Sequence, residues 1–265
     1  MKYRVLVAYD GSGYAGYQSQ INGTAIQDVI EKALEKIHHE KTPITASGRT
    51  DAGVHALGQV FHFSGHAGIG PRGYYNALNT LLPKDIRIRA VQEAPEDFHA
   101  RFSAEGKVYT YVLTWDRDNP FIDRYKTILR RGTSVERMKE ASRVFLGSHD
   151  FTSFANGKIH PNKPRVRRID AIDFEEDGKD VRVTFQGSGF MRYQIRMMMA
   201  VLIRAGEGLL TPAEIQAMLE ARNKEASRYN APAKGLYLVH ALYPKDLEER
   251  CGACWPSDGA SLFQK

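Results

Sequence analysis

The sequence predicts an α+β protein in which one order of elements, β-α-β-β-α-β, occurs twice. The chain has 265 residues, a length that suits one large domain or two small ones. Apolar residues make up 42% of it, which is enough for a buried core. Helical and strand periodicities follow one another in the same order in each half. Together these observations predict two domains of the same architecture.

The first half begins with a strand at residues 3–9 and a helix at residues 24–40. The helix carries an apolar stripe at helical spacing, and Thr24 with Gln27 forms a capping box at its start. The remaining elements are two strands, a helix and a half-buried strand, at residues 42–47, 57–63, 73–81 and 86–91.

The second half repeats this order, with a hairpin around Asp177-Gly178 as its middle pair of strands. Its elements are a strand, a helix, the hairpin strands, a helix and a last strand, at residues 108–115, 135–146, 166–174, 181–185, 190–204 and 236–243. Capping boxes precede the helix at 135 and an extra helix, at Thr133 with Glu136 and at Thr211 with Glu214.

Two β-α-β-β-α-β units correspond to two ferredoxin-like domains. We place these domains at residues 1–104 and 105–245, with a flexible tail at 246–265. The RNA-recognition module shares this element order, but its aromatic stacking signature is absent from the sequence. The fold alone therefore does not indicate the function.

The charge distribution favours an anionic partner. The formal net charge is +6 and the isoelectric point is about 9.2. Residues 158–168 and 124–131 are basic clusters, and the first contains no acid. Such clusters suit a phosphate backbone, although an ordinary solvated surface explains each of them equally well.

Several classes of protein are excluded by composition. The longest apolar run, Met197 to Ile203, is far shorter than the roughly 20 residues of a membrane-spanning helix, and the N-terminus lacks the apolar region of a signal peptide. Cys251 and Cys254 are the only cysteines, which favours a reducing cytoplasm. Because zinc needs four ligands and no second pair exists, we expect no metal, with a metal shared between subunits as the alternative.

The segment Gly48–Ala56 contains the most informative residues of the chain. Arg49 and Asp51 stand two residues apart in a glycine-rich stretch between predicted strands. Residues at this spacing on extended chain point to the same side, so a cation and an anion can serve one site. The simpler interpretation is a surface turn with a local ion pair.

This nonapeptide resembles the signature of the tRNA pseudouridine synthase A family. Further segments resemble that family's motifs, occur in the family's order and span residues 3–244. They are Tyr9–Gln18, Asp97–Ser103, Lys107–Tyr111, Asp150–Phe154, Gly189–Phe190 with Arg196, and Ala231–Leu238. Collinear matches of this kind are far more specific than any one of them.

The resemblance implies an isomerase that converts uridine to pseudouridine in the tRNA anticodon stem-loop, at positions 38 to 40. It also implies a homodimer, and ferredoxin-like sheets joined edge to edge into one extended, mainly antiparallel sheet with helices on one face. The active cleft then crosses the junction. No membrane and no small-molecule cofactor is implied.

Asp51 is the candidate nucleophile under this resemblance. Converting uridine to pseudouridine breaks the C1′–N1 bond and reattaches ribose through C5, which one ionised carboxylate can assist without a cofactor. We expect Arg49 to keep the pKa of Asp51 low. Attack at C6, attack at C1′ and elimination to a glycal remain open, and the target base must first leave its stack.

The resemblance gives roles to other residues as well. Tyr109 is expected to stack on the uracil and help move the C5 proton, with a plain core aromatic as the alternative. Arg196 is expected to pair with Asp51 or a phosphate, with an extended surface side chain as the alternative. The expected substrate-binding residues besides Tyr109 are Leu236, which lines the uracil pocket or is a plain core residue, and Arg101 and Arg167, which contact the tRNA backbone.

Other functions compete with this interpretation. A non-catalytic RNA-binding protein on the same scaffold would not require Asp51 beside Arg49, nor Tyr109. A nucleoside hydrolase or glycosidase commonly uses two carboxylates, and no second acid stands near Asp51 in the sequence. We therefore expect the isomerase.

Overall fold

The computed structural model describes residues 1–155 and 164–252. These residues divide into two compact units: unit 1 consists of Met1–Lys107 and the described residues from Tyr237 onward, and unit 2 of the described residues between Val108 and Leu236. Within the described ranges, no helix combines the length and the apolar character needed to cross a membrane.

Six α-helices and ten β-strands are present in the described part of the chain. The helices are α1 Ile26–His38, α2 Pro71–Leu81, α3 Val135–Ser142, α4 Gln194–Gly206, α5 Pro212–Glu220 and α6 Lys245–Arg250. The strands are β1 Lys2–Tyr9, β2 Thr45–Ala46, β3 His55–Ser64, β4 Ile86–Ala94, β5 Gly106–Thr114, β6 Thr127–Ile128, β7 Gly147–Asp150, β8 Val166–Asp177, β9 Asp180–Gly187 and β10 Leu236–Leu242. The α+β class and the mainly antiparallel pairing of the strands are confirmed.

In unit 1, β1 lies between β3 and β4 and is antiparallel to both. Val5 stands opposite Phe61 on one side and Val91 on the other. The short strand β2 pairs with one end of β3, and β10 runs parallel to the other end, with Tyr237 opposite His55. Because β10 pairs with β3, the strand that we expected in the second domain packs in unit 1 from Tyr237 onward.

The two faces of the unit 1 sheet have different coverings. Tyr3 points toward α2, where its ring lies 4.8 Å from that of Tyr74, and His38 of α1 reaches the same tyrosine with a 2.8 Å hydrogen bond. Leu6, on the opposite face, packs in a core with Phe98 and with Leu247 of α6. Thus α1 and α2 cover one face, while the segment after β4 and α6 cover the other.

The first part of the expected flexible tail forms α6 and is fixed to the sheet. The guanidinium of Arg4 is fully buried, and it donates hydrogen bonds to Glu248 at 2.7 Å and to Gln92 at 2.9 Å. Arg250 pairs through both terminal nitrogens with Asp97. The Arg4–Glu248 ion pair and the packing of Leu247 in the core with Leu6 and Phe98 thus hold α6 against the sheet. Residue 254 lies outside the described residues.

In unit 2, the strand order is β5, β9, β8 and β7, and β6 runs parallel to β5. The hairpin turn of β8 and β9 contains Gly178, whose φ is +60°. Helix α3 packs against α4 and α5. The predicted capping box of α5 is present, since Thr211 and Glu214 exchange hydrogen bonds at 2.8 and 3.3 Å.

Helix α3 begins at the predicted residue, whereas the starts of α1, α2 and α4 differ from the prediction by two to four residues. Asp28 accepts the Ala25 N–H at the start of α1, in place of the predicted Thr24 box. Ser134, rather than Thr133, caps α3 by accepting from the N–H of Arg137. Helix α4 begins at Gln194 because Tyr193 before it has a left-handed backbone, with φ of +65°.

Candidate active site

The connection between β2 and β3 carries Arg49 and Asp51. The Val54 N–H donates to the carbonyl oxygen of Asp51 at 3.1 Å and closes a four-residue turn. Gly53 occupies the turn position with φ of +77°, a conformation that glycine adopts without strain. The turn leaves the Asp51 side chain half-buried. We call residues 48–54 the aspartate loop.

The loop that follows β1 lies directly against the aspartate loop. The Tyr17 N–H donates to the Thr50 carbonyl at 3.1 Å. A Cβ on Gly11 would stand 2.0 Å from the carbonyl oxygen of Val54, and one on Gly16, whose φ is +105°, would stand 2.9 Å from that of Thr50. Both glycines are therefore required for this close backbone contact.

Buried polar side chains of β1 and β3 hold the aspartate loop in place. Tyr9 and Thr50 share a 2.8 Å hydrogen bond between their hydroxyls. Gln59 accepts from the Ser47 hydroxyl at 2.6 Å and donates to the Gly48 carbonyl at 2.8 Å. Burial raises the pKa of Tyr9, which therefore stays a neutral hydroxyl. None of these residues belongs to the predicted site, although a glutamine at an inward position of a strand indicates such a role.

His55, the last signature residue before the strand, braces the two loops. Its Nδ1 accepts the Gly11 N–H at 3.1 Å, and its ring stacks on Tyr237 at 4.7 Å. Asp10 lies 3.2 Å from the same nitrogen and also accepts the Ser12 N–H, forming an Asx turn.

Arg49 does not pair with Asp51. Within the described residues, no carboxylate lies within the 4.0 Å ion-pair distance of the Arg49 guanidinium. Burial and the positive charge of Arg101 lower the pKa of Arg49. Residues 49–51 lie outside the strands, and the two-residue spacing does not bring the guanidinium and the carboxylate within ion-pair distance of each other. Unit 1 instead brings the charges of Arg49 and Arg101 near each other.

In unit 2, Tyr109 lies on β5 and is 6% exposed. Its ring meets that of Phe190 edge to face at a centroid distance of 5.3 Å. Arg196 lies on the first turns of α4, where its Nε donates to the Ala231 carbonyl at 2.8 Å and its guanidinium covers the Tyr193 ring at 4.8 Å. The side chain is thus half-buried, with its direction fixed by the backbone before β10.

The segment before β10 also packs on Tyr111. The Tyr111 hydroxyl donates to the Pro232 carbonyl and lies 3.1 Å from the Thr127 hydroxyl. A Cβ on Gly235 would stand 2.7 Å from the Tyr111 ring. Leu236, the next residue, is 4% exposed. Unit 2 therefore assembles Tyr111, Arg196 and the segment that ends at Leu236 in one place.

Arg167 lies apart from these groups, on β8. Its guanidinium donates to the carbonyls of Pro164 and Val166, at 2.8 and 2.7 Å, and burial lowers its pKa. Much of the basic cluster 158–168 falls outside the described residues, including Lys158 and Lys163. Among residues 1–155 and 164–252, no group of three or more histidine, cysteine or acidic side chains is placed to hold a metal ion.

Comparison with known proteins identifies one family. The family described as tRNA pseudouridine synthase matches residues 5–103 and 141–244. A tRNA pseudouridine synthase A of Listeria innocua is 42% identical over 246 residues, covering 91% of this chain and 99% of the relative. Proteins of the same name from Exiguobacterium sibiricum and Oceanobacillus iheyensis are 39% and 41% identical, over 92% and 91% of this chain and 97% and 96% of their own lengths.

Among solved structures, a chain from a Cbf5–Nop10–Gar1 complex aligns with 91% of this chain and 50% of its own length. The TM-score is 0.37 and the sequence identity is 12%, too low to support an argument from this likeness.

Proposed function

This chain belongs to the tRNA pseudouridine synthase family, and on that premise we propose that Asp51 is its catalytic nucleophile. The protein is an isomerase that forms pseudouridine in tRNA. The observation that carries the proposal is the construction of the aspartate loop. A half-buried carboxylate stands on a turn that two glycine contacts and the Tyr9–Thr50 and Gln59 hydrogen bonds hold in place. Such preorganisation suits a group that must meet one carbon atom of the substrate.

The reaction needs no external oxidant, reductant or cofactor. The C1′–N1 bond of uridine breaks, a C1′–C5 bond forms, and the proton on C5 is lost while N1 gains one. The Asp51 carboxylate assists by bonding transiently to C1′ or to C6, or by promoting elimination, and it is regenerated in each case. We assign Tyr109 to the uracil ring and to movement of the C5 proton.

The remaining assignments follow the charges and the burial of each side chain. Arg49 has no carboxylate partner in the described residues, which supports a role beside the everted nucleotide or its phosphate. Arg101 and Arg167 are assigned to the tRNA backbone. Arg196 is assigned to a phosphate or to Asp51, and the buried Leu236 to the wall of the uracil pocket.

We further propose that the substrate site is the anticodon stem-loop, at positions 38 to 40, and that the enzyme is a cytoplasmic homodimer. A net charge of +6 and few cysteines are consistent with a cytoplasmic enzyme that binds nucleic acid. Mapping pseudouridine in unmodified tRNA after incubation with the protein tests the site. Modification confined to other positions would contradict it.

The proposed nucleophile is tested by Asp51→Asn, with Glu35→Gln on the outer side of α1 as the matched control. We expect Asp51→Asn to lower tritium release from tRNA carrying [5-³H]uridine by about three orders of magnitude, as loss of a catalytic nucleophile does. The tRNA dissociation constant should stay within about threefold of wild type.

The same experiment separates the enzyme from a non-catalytic RNA-binding protein. A binding protein would show no tritium release in the wild type, the Glu35→Gln control or the Asp51→Asn variant. Release by Asp51→Asn at the wild-type rate would remove Asp51 from the mechanism.

A further inference from the structure

One large aromatic side chain in unit 1 faces solvent without an assigned role. Phe102 is 77% exposed, at the end of the segment 95–103 that follows β4. We propose that the Phe102 ring is a stacking platform for an unpaired base of the RNA substrate. This inference rests on the proposed function for its RNA substrate, but not on the role of Asp51.

The ring of Phe102 is held in place by His99. The two ring centroids lie 4.3 Å apart with 30° between the planes, so the imidazole covers one face of the phenyl ring. Nδ1 of His99 accepts the N–H groups of Arg101 and Phe102 at 3.2 and 3.1 Å. His99 therefore orients the ring, while the 77% exposure of Phe102 leaves most of the side chain accessible to a ligand.

The segment that carries Phe102 is itself anchored to the unit 1 core. The Ala100 N–H donates to Nδ1 of His62 at 3.1 Å, and the Tyr243 hydroxyl donates to the Ala100 carbonyl at 2.7 Å. Lys2 holds the carbonyl of the buried Phe98 at 3.0 Å. An exposed ring on a fixed backbone loses little freedom when a flat ligand binds to it.

Charge identifies the class of ligand. The Arg101 guanidinium lies 5.6 Å from the centroid of the Phe102 ring. Its positive charge also helps to lower the pKa of Arg49, so a second cation lies nearby. Stacking aromatics beside cations that contact phosphates are the usual means of binding unpaired nucleotides. A protein partner that buried this ring would also have to bury these two positive charges.

The proposal is tested with an anticodon stem-loop RNA that carries 2-aminopurine at an unpaired loop position, scanned one position at a time. Stacking on an aromatic ring quenches this base. We expect quenching with wild type, with Phe102→Trp and with the inactive Asp51→Asn, and its loss at one or more positions with Phe102→Leu. In steady-state assays, Phe102→Leu should raise KM about tenfold, from the usual contribution of one stacked base, with kcat within about twofold.

Tyr75→Leu is the matched control, since Tyr75 is 40% exposed on α2, on the opposite face of the unit 1 sheet. It should leave both readouts unchanged. Wild-type quenching and KM in Phe102→Leu would overturn the proposal while leaving Asp51 untouched. If Phe102→Leu bound RNA normally but had a different molar mass from wild type by light scattering, the proposal would also be overturned. That result would indicate that a second copy of the chain covers the ring.

Discussion

Arg49 shows how one residue's surroundings decide its chemistry. Arg49 stands two residues from Asp51 in the sequence, which suggests a local ion pair. Among the described residues, however, no carboxylate lies within ion-pair distance of Arg49, and the nearby charge is the positive charge of Arg101. An arginine already paired would have to break that pair before it contacted RNA. Arg49 has no such cost, and its planar guanidinium can meet a phosphate through two parallel hydrogen bonds.

We expect Arg49→Ala to lower kcat more than affinity, because one contact among many holds the tRNA while the everted nucleotide depends on this side chain. The predicted loss is about a hundredfold in single-turnover rate, the usual cost of misplacing reacting groups by about 1 Å, with a change in dissociation constant below about threefold. Arg72→Ala, an exposed arginine on α2, is the control. A loss of affinity alone would reduce Arg49 to a phosphate contact.

At the scale of elements, the aspartate loop depends on a second loop that lies about 40 residues earlier in the chain. The 3₁₀ turn Gly11–Gly13 after β1 touches the aspartate loop through Gly11, whereas a Cβ on Gly13 would meet no atom within 4 Å. The two glycines therefore form a natural pair for separating backbone contact from chain flexibility.

Gly11→Ala should displace the aspartate loop, because its Cβ would meet the Val54 carbonyl oxygen at 2.0 Å. We expect a loss of about 1–3 kcal/mol in the free energy of unfolding, typical of an overpacked site, and a fall in kcat. Gly13→Ala should change the unfolding free energy by less than about 0.5 kcal/mol. Urea titration measures the free energy of unfolding, and single-turnover assays measure the catalytic rate. The same values for Gly11→Ala and Gly13→Ala would show that the contact between Gly11 and the Val54 carbonyl is unimportant.

Local sequence signals predicted the elements well where the signal was self-contained. Thr211 and Glu214 cap α5 as expected, because both halves of a capping box lie within one turn. Helix α3 is capped one residue later than expected, by Ser134, since two adjacent hydroxyl residues satisfy the same pattern. Helix α6 was not predicted because its six residues are too few to show apolar residues at helical spacing. Its position on the sheet also involves Arg4, which is far away in the chain.

The candidate site was predictable to the same extent. Asp51 and Arg49 were found because a glycine-rich motif marks them, but Tyr9, Gln59 and Gly11 were not, because their roles are hydrogen bonds and close contacts with distant segments. The absence of an Arg49–Asp51 pair could not be predicted either, because the spacing of two residues does not determine the side-chain directions in a loop.

At the scale of the whole molecule, the histidines of the described residues whose pKa is clearly shifted lie in unit 1. Burial is the first cause that lowers the pKa in each case, and for His62, with His99 and Lys2 nearby, it lowers the pKa to about 4. The histidines are His38, His62, His99 and His240. Each is therefore kept neutral in the folded chain at a pH where the unfolded chain would protonate it.

These lowered histidine pKa values make the free energy of unfolding depend on pH. An unfolded histidine titrates near pH 6.5, so between about pH 6.5 and 4 the unfolded chain binds more protons than the folded one, and stability falls with falling pH. We expect the free energy of unfolding to decline across this range, and His62→Gln to flatten the decline, because the amide keeps an acceptor for the Ala100 N–H without titrating. His39→Asn, at an exposed position with φ of +59°, should leave the slope unchanged. Urea titrations at several pH values measure these slopes, and a His62→Gln variant as acid-sensitive as wild type would show that protonation of His62 does not drive the loss.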